Sequence, residues 1–325
     1  MALNEFAANP PPTMPTNGLP AFSAQTRLLV VAPHPDDETI ATGLLIQQVL
    51  AAGGEVRILL LTAGDNNPWP QRWLERRVWI GAADRQRWGR RRHSELLQAL
   101  HCLGAPTPAL QTLGWPDMGV TDMLLHATAE AVPALASAIQ RFRPDLVALP
   151  ALDDRHPDHG SAHVLVRLAL AGQSDPPRLL AYLVHGHAHY NGFIEIHGSA
   201  AQTANKRNAL AAHRSQMALS SKRLCRLTDM PERYLDLSAM PTASSSTLPW
   251  RPSRWLRPWL RLSVVSAAGA QSWRWRHAPL QRDSHDQDAY QLMVLAGTAA
   301  APRFARLALD LPSVWIFDHW GWCAL

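Results

Sequence analysis

Thr26-Arg27-Leu28-Leu29-Val30-Val31-Ala32-Pro33-His34-Pro35-Asp36-Asp37-Glu38 is a short apolar, β-branched run that ends on one imidazole and three carboxylates. The apolar part has the character of a strand buried in a parallel sheet, and Thr39 to Leu50 continue in a helical pattern. In an open α/β sheet, ligands collect beyond the carboxyl ends of the strands, which is where residues 33–38 fall. His34 and Asp37, three residues apart, can reach one Zn²⁺ as a nitrogen and an oxygen ligand, and they leave Asp36 beside it.

A second segment supplies what the first lacks. Asp145-Leu146-Val147-Ala148-Leu149-Pro150 is again strand-like and leads into Asp153-Asp154-Arg155-His156-Pro157-Asp158-His159-Gly160, followed by a helical pattern from Ser161 to Ala171. Both loops are expected to open on the same edge of a parallel sheet, so that His159 completes a His-Asp-His set with water in the fourth position. Three protein ligands and an open site are the catalytic arrangement of zinc, whereas structural zinc is closed by four. His-Pro-Asp and Asp-Asp also serve as turn and capping sequences. Capping alone does not call for His, Asp and His on two loops at one sheet edge. Glu38 is expected to orient a ligand or a loop amide.

Together, His34-Pro35-Asp36-Asp37-Glu38 and His156-Pro157-Asp158-His159 resemble the signature of the PIG-L, or LmbE-like, zinc-dependent N-deacetylases, whose usual substrates carry N-acetylglucosamine. The resemblance runs from about Thr26 to about Leu237. Arg92-His93-Ser94-Glu95 with Leu103-Gly104 is similar to the family's Arg-x-x-Glu helix, and Leu113-Gly114-Trp115-Pro116-Asp117 to its sugar-side loop. Lys206 through His213-Arg214-Ser215-Gln216 resembles its late helix. The resemblance implies that Arg92 faces the pocket and hydrogen-bonds the substrate, and that Asp117 meets a sugar hydroxyl.

The expected architecture is an α/β domain with a Rossmann-like, mostly parallel sheet and helices on both faces, over residues 26–237. Residues 1–25, rich in Pro, Asn, Thr and Ala, are expected to be a disordered leader. Ser238 to Thr247 form a polar linker into a Trp-rich, β-rich extension over residues 238–325, with strands at Leu262–Ala267, Tyr290–Ala296 and Ala305–Leu311. No stretch approaches ~18 consecutive apolar residues. Cys102, Cys225 and Cys323 are widely spaced and odd in number, which fits a reduced, cytoplasmic setting.

The formal net charge of +5 is unevenly spread. Arg72, Arg76, Arg77, Arg85, Arg87, Arg90, Arg91 and Arg92 lie close together, with Trp73, Trp79 and Trp88 among them. Such a stretch either receives an anionic substrate, such as a sugar phosphate, lipid-linked sugar or nucleotide sugar, or is a solvated helix face whose tryptophans pack inward. His185, His187 and His189 would share one face of an extended strand, at the pocket rim, in solvent or on an accessory metal. The segment Leu248–Leu262 interleaves Trp, Arg and Leu, and it is either a peripheral membrane contact or a connector whose tryptophans pack on the catalytic domain.

The reaction expected of the chain is Zn²⁺-dependent hydrolysis of an N-acetyl group from an N-acetylhexosamine glycoconjugate. His34, Asp37 and His159 would hold the ion and Asp36 would accept a proton from water. His156 would stabilise the oxyanion and help protonate the leaving amine, with Asp158 orienting His156 and keeping it cationic. The same machinery would also serve another small N-acyl or sugar-thiol conjugate. A non-catalytic glycan- or membrane-binding protein is disfavoured, because no ligand or base is missing. Nucleic-acid binding lacks a recognisable motif.

Overall fold

The computed structural model describes residues 18–186, 192–239, 246–282, 289–293, 302–310 and 320–325. The chain runs through β1 (Arg27–Ala32), α1 (Asp37–Ala51), β2 (Glu55–Thr62), α2 (Pro68–Glu75), α3 (Ala82–Cys102), β3 (Leu110–Trp115), α4 (Val120–His126) and α5 (Thr128–Phe142). It continues through β4 (Leu146–Pro150), α6 (Pro157–Ala169), β5 (Arg178–Tyr182), β6 (Ile194–Ile196), α7 (Ala200–Ala212), α8 (Arg214–Asp229) and β7 (Glu232–Asp236).

These strands form one sheet in the order β3-β2-β1-β4-β5-β7-β6. β1 to β5 pair in parallel, and β7 and β6 extend the sheet antiparallel. The chain starts in the middle at β1, winds outward to β3, then returns to β4 on the other side of β1. Connections therefore leave β1 and β4 in opposite directions and open a crevice at their carboxyl ends. The two histidine loops follow those two strands, which is why the sheet brings them together across more than a hundred residues.

Strand pleating divides the core in two. Leu28, Val30, Ala32, Ile58 and Leu60 face α1, α3 and α7, whereas Leu29, Val31, Leu59, Leu61, Val147 and Leu149 face α4, α5 and α6. α1 is anchored from inside by Glu232 of β7, which accepts from Lys206 Nζ (2.6 Å), from the Tyr234 hydroxyl (2.8 Å) and from the amides of Leu44 and Leu45 (2.7 and 3.0 Å). The buried lysine and glutamate thereby satisfy each other, and the carboxylate's other lone pairs are also used.

The remaining strands are β8 (Thr247–Leu248), β9 (Leu260–Ser266), β10 (Gly269–Arg274), β11 (Leu280–Arg282), β12 (Tyr290–Leu292), β13 (Phe304–Leu309) and β14 (Trp322–Ala324). They make two antiparallel sheets, β10-β9-β13-β14 and β11-β12-β8. Trp250, Leu260, Leu262, Trp275 and Tyr290 build a core of their own. Val265, Phe304 and Trp322 instead join the core of α4, α5 and α6. The Trp322 indole donates to Ser161 Oγ at 3.1 Å, and a Cβ placed on Gly160 would lie 2.8 Å from Trp322 Cδ1. The extension is thus seated directly on α6.

Several expectations change. Leu19 is buried and Phe22 packs against the same core, so residues 18–25 rest on the domain: Gly18 borders Ile194 of β6, and Arg178 Nη2 donates to Gly18 O at 2.6 Å. Residues 1–17 lie outside the described residues. The single late helix is two, α7 and α8, which meet at His213. α6 begins four residues earlier than the pattern suggested, with Pro157 in its first turn. β5 ends at Tyr182, and His185 follows it outside any strand. His185 is described, whereas His187, His189, the centre of the linker (residues 240–245) and residues 294–296 lie outside the described residues. The segment 248–262 splits, with Trp250, Leu260 and Leu262 buried and Trp255 and Trp259 exposed.

Candidate functional site

The turn between β1 and α1 carries Asp36 at φ 119°, ψ −26°, a conformation that L-residues rarely adopt. Its surroundings fix it. Asp36 N donates to Glu38 Oε2 at 2.9 Å, and Glu38 is braced in turn by His213 Nε2 at 3.1 Å. From α3, Arg92 donates to Pro35 O at 2.5 Å and to Gly64 O at 2.6 Å, clamping this turn to the end of β2. Gly64 has φ +62°, and a Cβ there would fall 1.9 Å from Arg92 Nη1, so only glycine admits the guanidinium.

Three donor atoms converge beyond β1 and β4. His34 Nδ1 lies 3.4 Å from Asp37 Oδ2 and 3.3 Å from His159 Nε2, and His159 Nε2 lies 3.2 Å from Asp37 Oδ2. Ligand atoms bound at ~2.0–2.1 Å in a tetrahedron stand ~3.3–3.4 Å apart, so the triangle has the size that a zinc-like ion requires. The outward nitrogens are held by carboxylates: His159 Nδ1 by Asp154 at 3.1 Å, and His34 Nε2 by Asp117 and Asp158, each at 3.3 Å. Such partners fix the ring orientation and direct the other nitrogen's lone pair inward. His156 and His185 offer further donors next to this triangle.

The electrostatics favour positive charge at the convergence point. Burial disfavours a charged His34, but hydrogen bonds to Asp117, Asp158 and Asp37 outweigh it and hold the pKa well above the ordinary value. His159, also opposed by burial, is raised to about 10 by Asp154 and Asp37. Burial pushes Asp37 up, yet His159 and His34 hold it well below the carboxylate range. Asp36 differs. Burial raises it to about 6, with Arg92 pulling it down and Asp37 pushing it up, which is the range of a general base.

Asp36, Arg92, Asp117, His156, His185 and Gln216 all line a cavity of about 520 Å³, within the ~300–1,000 Å³ of small-ligand sites. Arg92 spends its terminal nitrogens on the loop carbonyls and on Asp36 Oδ1 at 3.5 Å, leaving only its buried Nε without a partner among the described residues. Asp117 accepts from Asn66 N at 2.6 Å, and burial, which would raise its pKa, is outweighed chiefly by His34, which holds it at about 2.

The pairing expected between Asp158 and His156 is not the one observed. The Asp158 carboxylate reaches His34 and accepts from the amides of Met118 (2.8 Å) and Val120 (3.2 Å). It is the Asp158 backbone amide that meets His156, donating to Nδ1 at 3.3 Å as the helix cap. An accepting Nδ1 puts the proton on Nε2. Burial, with His34 and His159 nearby, holds His156 well below its ordinary pKa, so the ring is a neutral donor rather than a cation. Sequence reasoning also left Asp154 without a role. It joins His159 to the chain after β5 by accepting from Val184 N (2.9 Å) and His185 N (3.0 Å). An acidic residue two positions before His156, at a strand end, was its only signal.

The profile of the PIG-L family, described as GlcNAc-PI de-N-acetylase, matches residues 29–170. The 1D-myo-inositol 2-acetamido-2-deoxy-alpha-D-glucopyranoside deacetylase of Mycobacteroides abscessus is 35% identical over 159 residues, 44% of this chain and 55% of that protein. Its Rhodococcus erythropolis counterpart is 32% identical over 159 residues, 44% of this chain and 52% of the other. The chain thus spans about half the length of the curated relatives it matches. A conserved protein of Thermus thermophilus superposes with a TM-score of 0.50 at 28% identity, over 70% of this chain and 99% of its own. The N,N'-diacetylchitobiose deacetylase of Pyrococcus horikoshii shares the fold, with a TM-score of 0.51 at 18% identity over 65% of this chain and 84% of its own. The segment 29–170, which contains both histidine loops, is thus the part of the chain that is similar to the PIG-L family.

Proposed function

We propose that the chain is a Zn²⁺-dependent hydrolase that removes the N-acetyl group from an N-acetylhexosamine-containing glycoconjugate. The observation that carries this reading is the 3.2–3.4 Å triangle of His34 Nδ1, Asp37 Oδ2 and His159 Nε2 beside a carboxylate, Asp36, that stays outside it. Relatives named as deacetylases of an acetamido sugar on inositol support the substrate class. His34, Asp37 and His159 would hold the ion, which supplies Lewis acidity that polarises the amide carbonyl and eases the deprotonation of water.

The residues then divide the remaining work. Asp36 takes one proton from water as the water oxygen attacks the acetyl carbon. The neutral His156 donates its Nε2 proton in a hydrogen bond to the carbonyl oxygen as negative charge builds there. When the C–N bond breaks, the proton held on Asp36 passes to the sugar nitrogen, giving the free amine and acetic acid, whose remaining proton is lost to solvent to leave acetate. Arg92 keeps the strained Asp36 turn in place, and Asp117 orients His34 while bordering the sugar. The working location in this reading is the cytoplasm, where the three free cysteines stay reduced, with a membrane surface close by.

Mass analysis of zinc-loaded protein incubated with a panel of N-acetylhexosamine conjugates tests the proposal. Loss of an acetyl group matched by one acetate per turnover is expected. An inert panel, or turnover that survives His159→Ala, would overturn it.

A further inference from the structure

Four large apolar side chains on and just after α2 are turned to solvent. Trp69, Trp73 and Trp79 are 66%, 67% and 86% exposed, and Val78 lies between them and equally in the open. A surface seldom gathers so much apolar area without a partner. Trp69 and Trp73 are four residues apart on one helix and so share a face. Trp69 also lines the cavity, so this face borders the mouth of the site.

The charge of the same segment is one-sided. Residues 68–91 hold seven arginines against two carboxylates, an excess equal to the formal net charge of the whole chain. Glu75 and Asp84 are already taken by Arg77 and Arg87, while Arg76, Arg85 and Arg90 make no ion pair among the described residues. Arg72 stacks on the Trp69 ring at 5.2 Å. No carboxylate is left to select a cationic group on a partner, so the patch fits a uniformly anionic surface better than a protein surface of mixed sign. Indole rings settle at the boundary between water and hydrocarbon, and guanidinium groups pair with phosphate.

We propose that α2 and the turn through Trp79 dock on an anionic membrane and set the mouth of the cavity against the lipid headgroups. The proposal rests on the reading of the adjoining cavity as the deacetylase site. Trp73 and Trp79 enter the headgroup layer, and the arginines hold the surface by charge, so the contact weakens as salt rises.

Full-length, zinc-loaded protein is co-sedimented with vesicles of phosphatidylcholine alone and of phosphatidylcholine mixed with phosphatidylglycerol. Partition onto the anionic vesicles at low salt is expected, falling about tenfold at high salt. Trp73→Ala with Trp79→Ala, and separately Arg76→Glu with Arg85→Glu, should each reduce partition about tenfold without changing thermal unfolding or turnover of a water-soluble acetamido sugar. Several results would overturn the proposal: no partition at low salt, equal partition onto neutral vesicles, or loss of binding with Trp255→Ala and Trp259→Ala but not with the α2 pair. Sedimentation velocity showing self-association removed by the α2 pair, with vesicle binding absent, would assign the patch to a second copy of the chain instead. Binding is read without turnover, so a failure here leaves the deacetylase reading standing, and an inert enzyme leaves the vesicle result intact.

Discussion

Nδ1 of His34 and Nε2 of His159 face each other across 3.3 Å although 125 residues separate them in the chain. A metal ion needs both as bare lone pairs, whereas the surrounding carboxylates favour protons on these rings. Both pKa values lie above the ordinary histidine value, that of His159 at about 10, so protons occupy the site at pH 7. Zinc loading of metal-free protein at pH 7 is therefore expected to release about one proton per ion or more, with apparent affinity rising with pH until the rings are neutral. Calorimetry in buffers of different ionisation enthalpy counts these protons, and a count of zero would mean that these nitrogens are not the ligands.

Asp36 and Asp37 are neighbours with opposite duties in the proposed site. Asp36→Asn should retain zinc at native stoichiometry and lose ~10²–10⁴ in kcat, because an amide cannot take the proton. Asp37→Ala and His159→Ala should lose the ion together with activity. Elemental analysis beside kcat separates the two classes, and zinc lost from Asp36→Asn would make Asp36 a ligand.

His163 lies on the buried side of α6, hydrogen-bonded to Pro150 O at 2.9 Å, with its pKa lowered to about 4 by burial. The folded state refuses a proton that the unfolded chain accepts near ~6.5. Its contribution is therefore complete above ~6.5, drains as pH falls toward about 4 and levels off below, a loss of up to about 3 kcal/mol. Urea unfolding from pH 7 to pH 4 should show the stability gap between wild type and His163→Asn narrowing as the pH drops. Parallel curves would show that His163 titrates normally in the fold.

Trp322→Ala should cost ~3–5 kcal/mol, through the emptied ring site and the lost bond to Ser161. Gly160→Ala should cost ~1–3 kcal/mol by driving a methyl toward the same ring. In the double variant the methyl gains room, so the second change should be largely absorbed. Strict additivity in urea unfolding would mean that the ring does not cover Gly160.

The loops that carry the site were legible because each follows a short apolar strand and opens a helix, and a parallel sheet puts such loops on one edge. Which carboxylate meets which imidazole was not legible. Asp158 turns to His34 because α6 starts at Pro157 and because Met118, at φ 62°, presents its amide to the same carboxylate. The break at His213 bears no Gly or Pro to mark it. Leu19 and Phe22 were hidden by the Pro- and Thr-rich residues around them, since composition averages over the two side chains that pack.

The hydrogen bond from Trp322 to Ser161 closes a loop of 161 residues. A ribosome adding ~5–20 residues per second takes roughly 8–30 s to travel from α6 to β14. Through that interval the outer face of the helix bearing His159 has neither Phe304 nor Trp322 over it, and a bare apolar face on a nascent chain is an invitation to chaperones and to aggregation. Substitutions that loosen β14 should therefore register first as a reduced yield of folded protein during synthesis, with the molecules that do mature carrying out the proposed deacetylation at close to the wild-type rate.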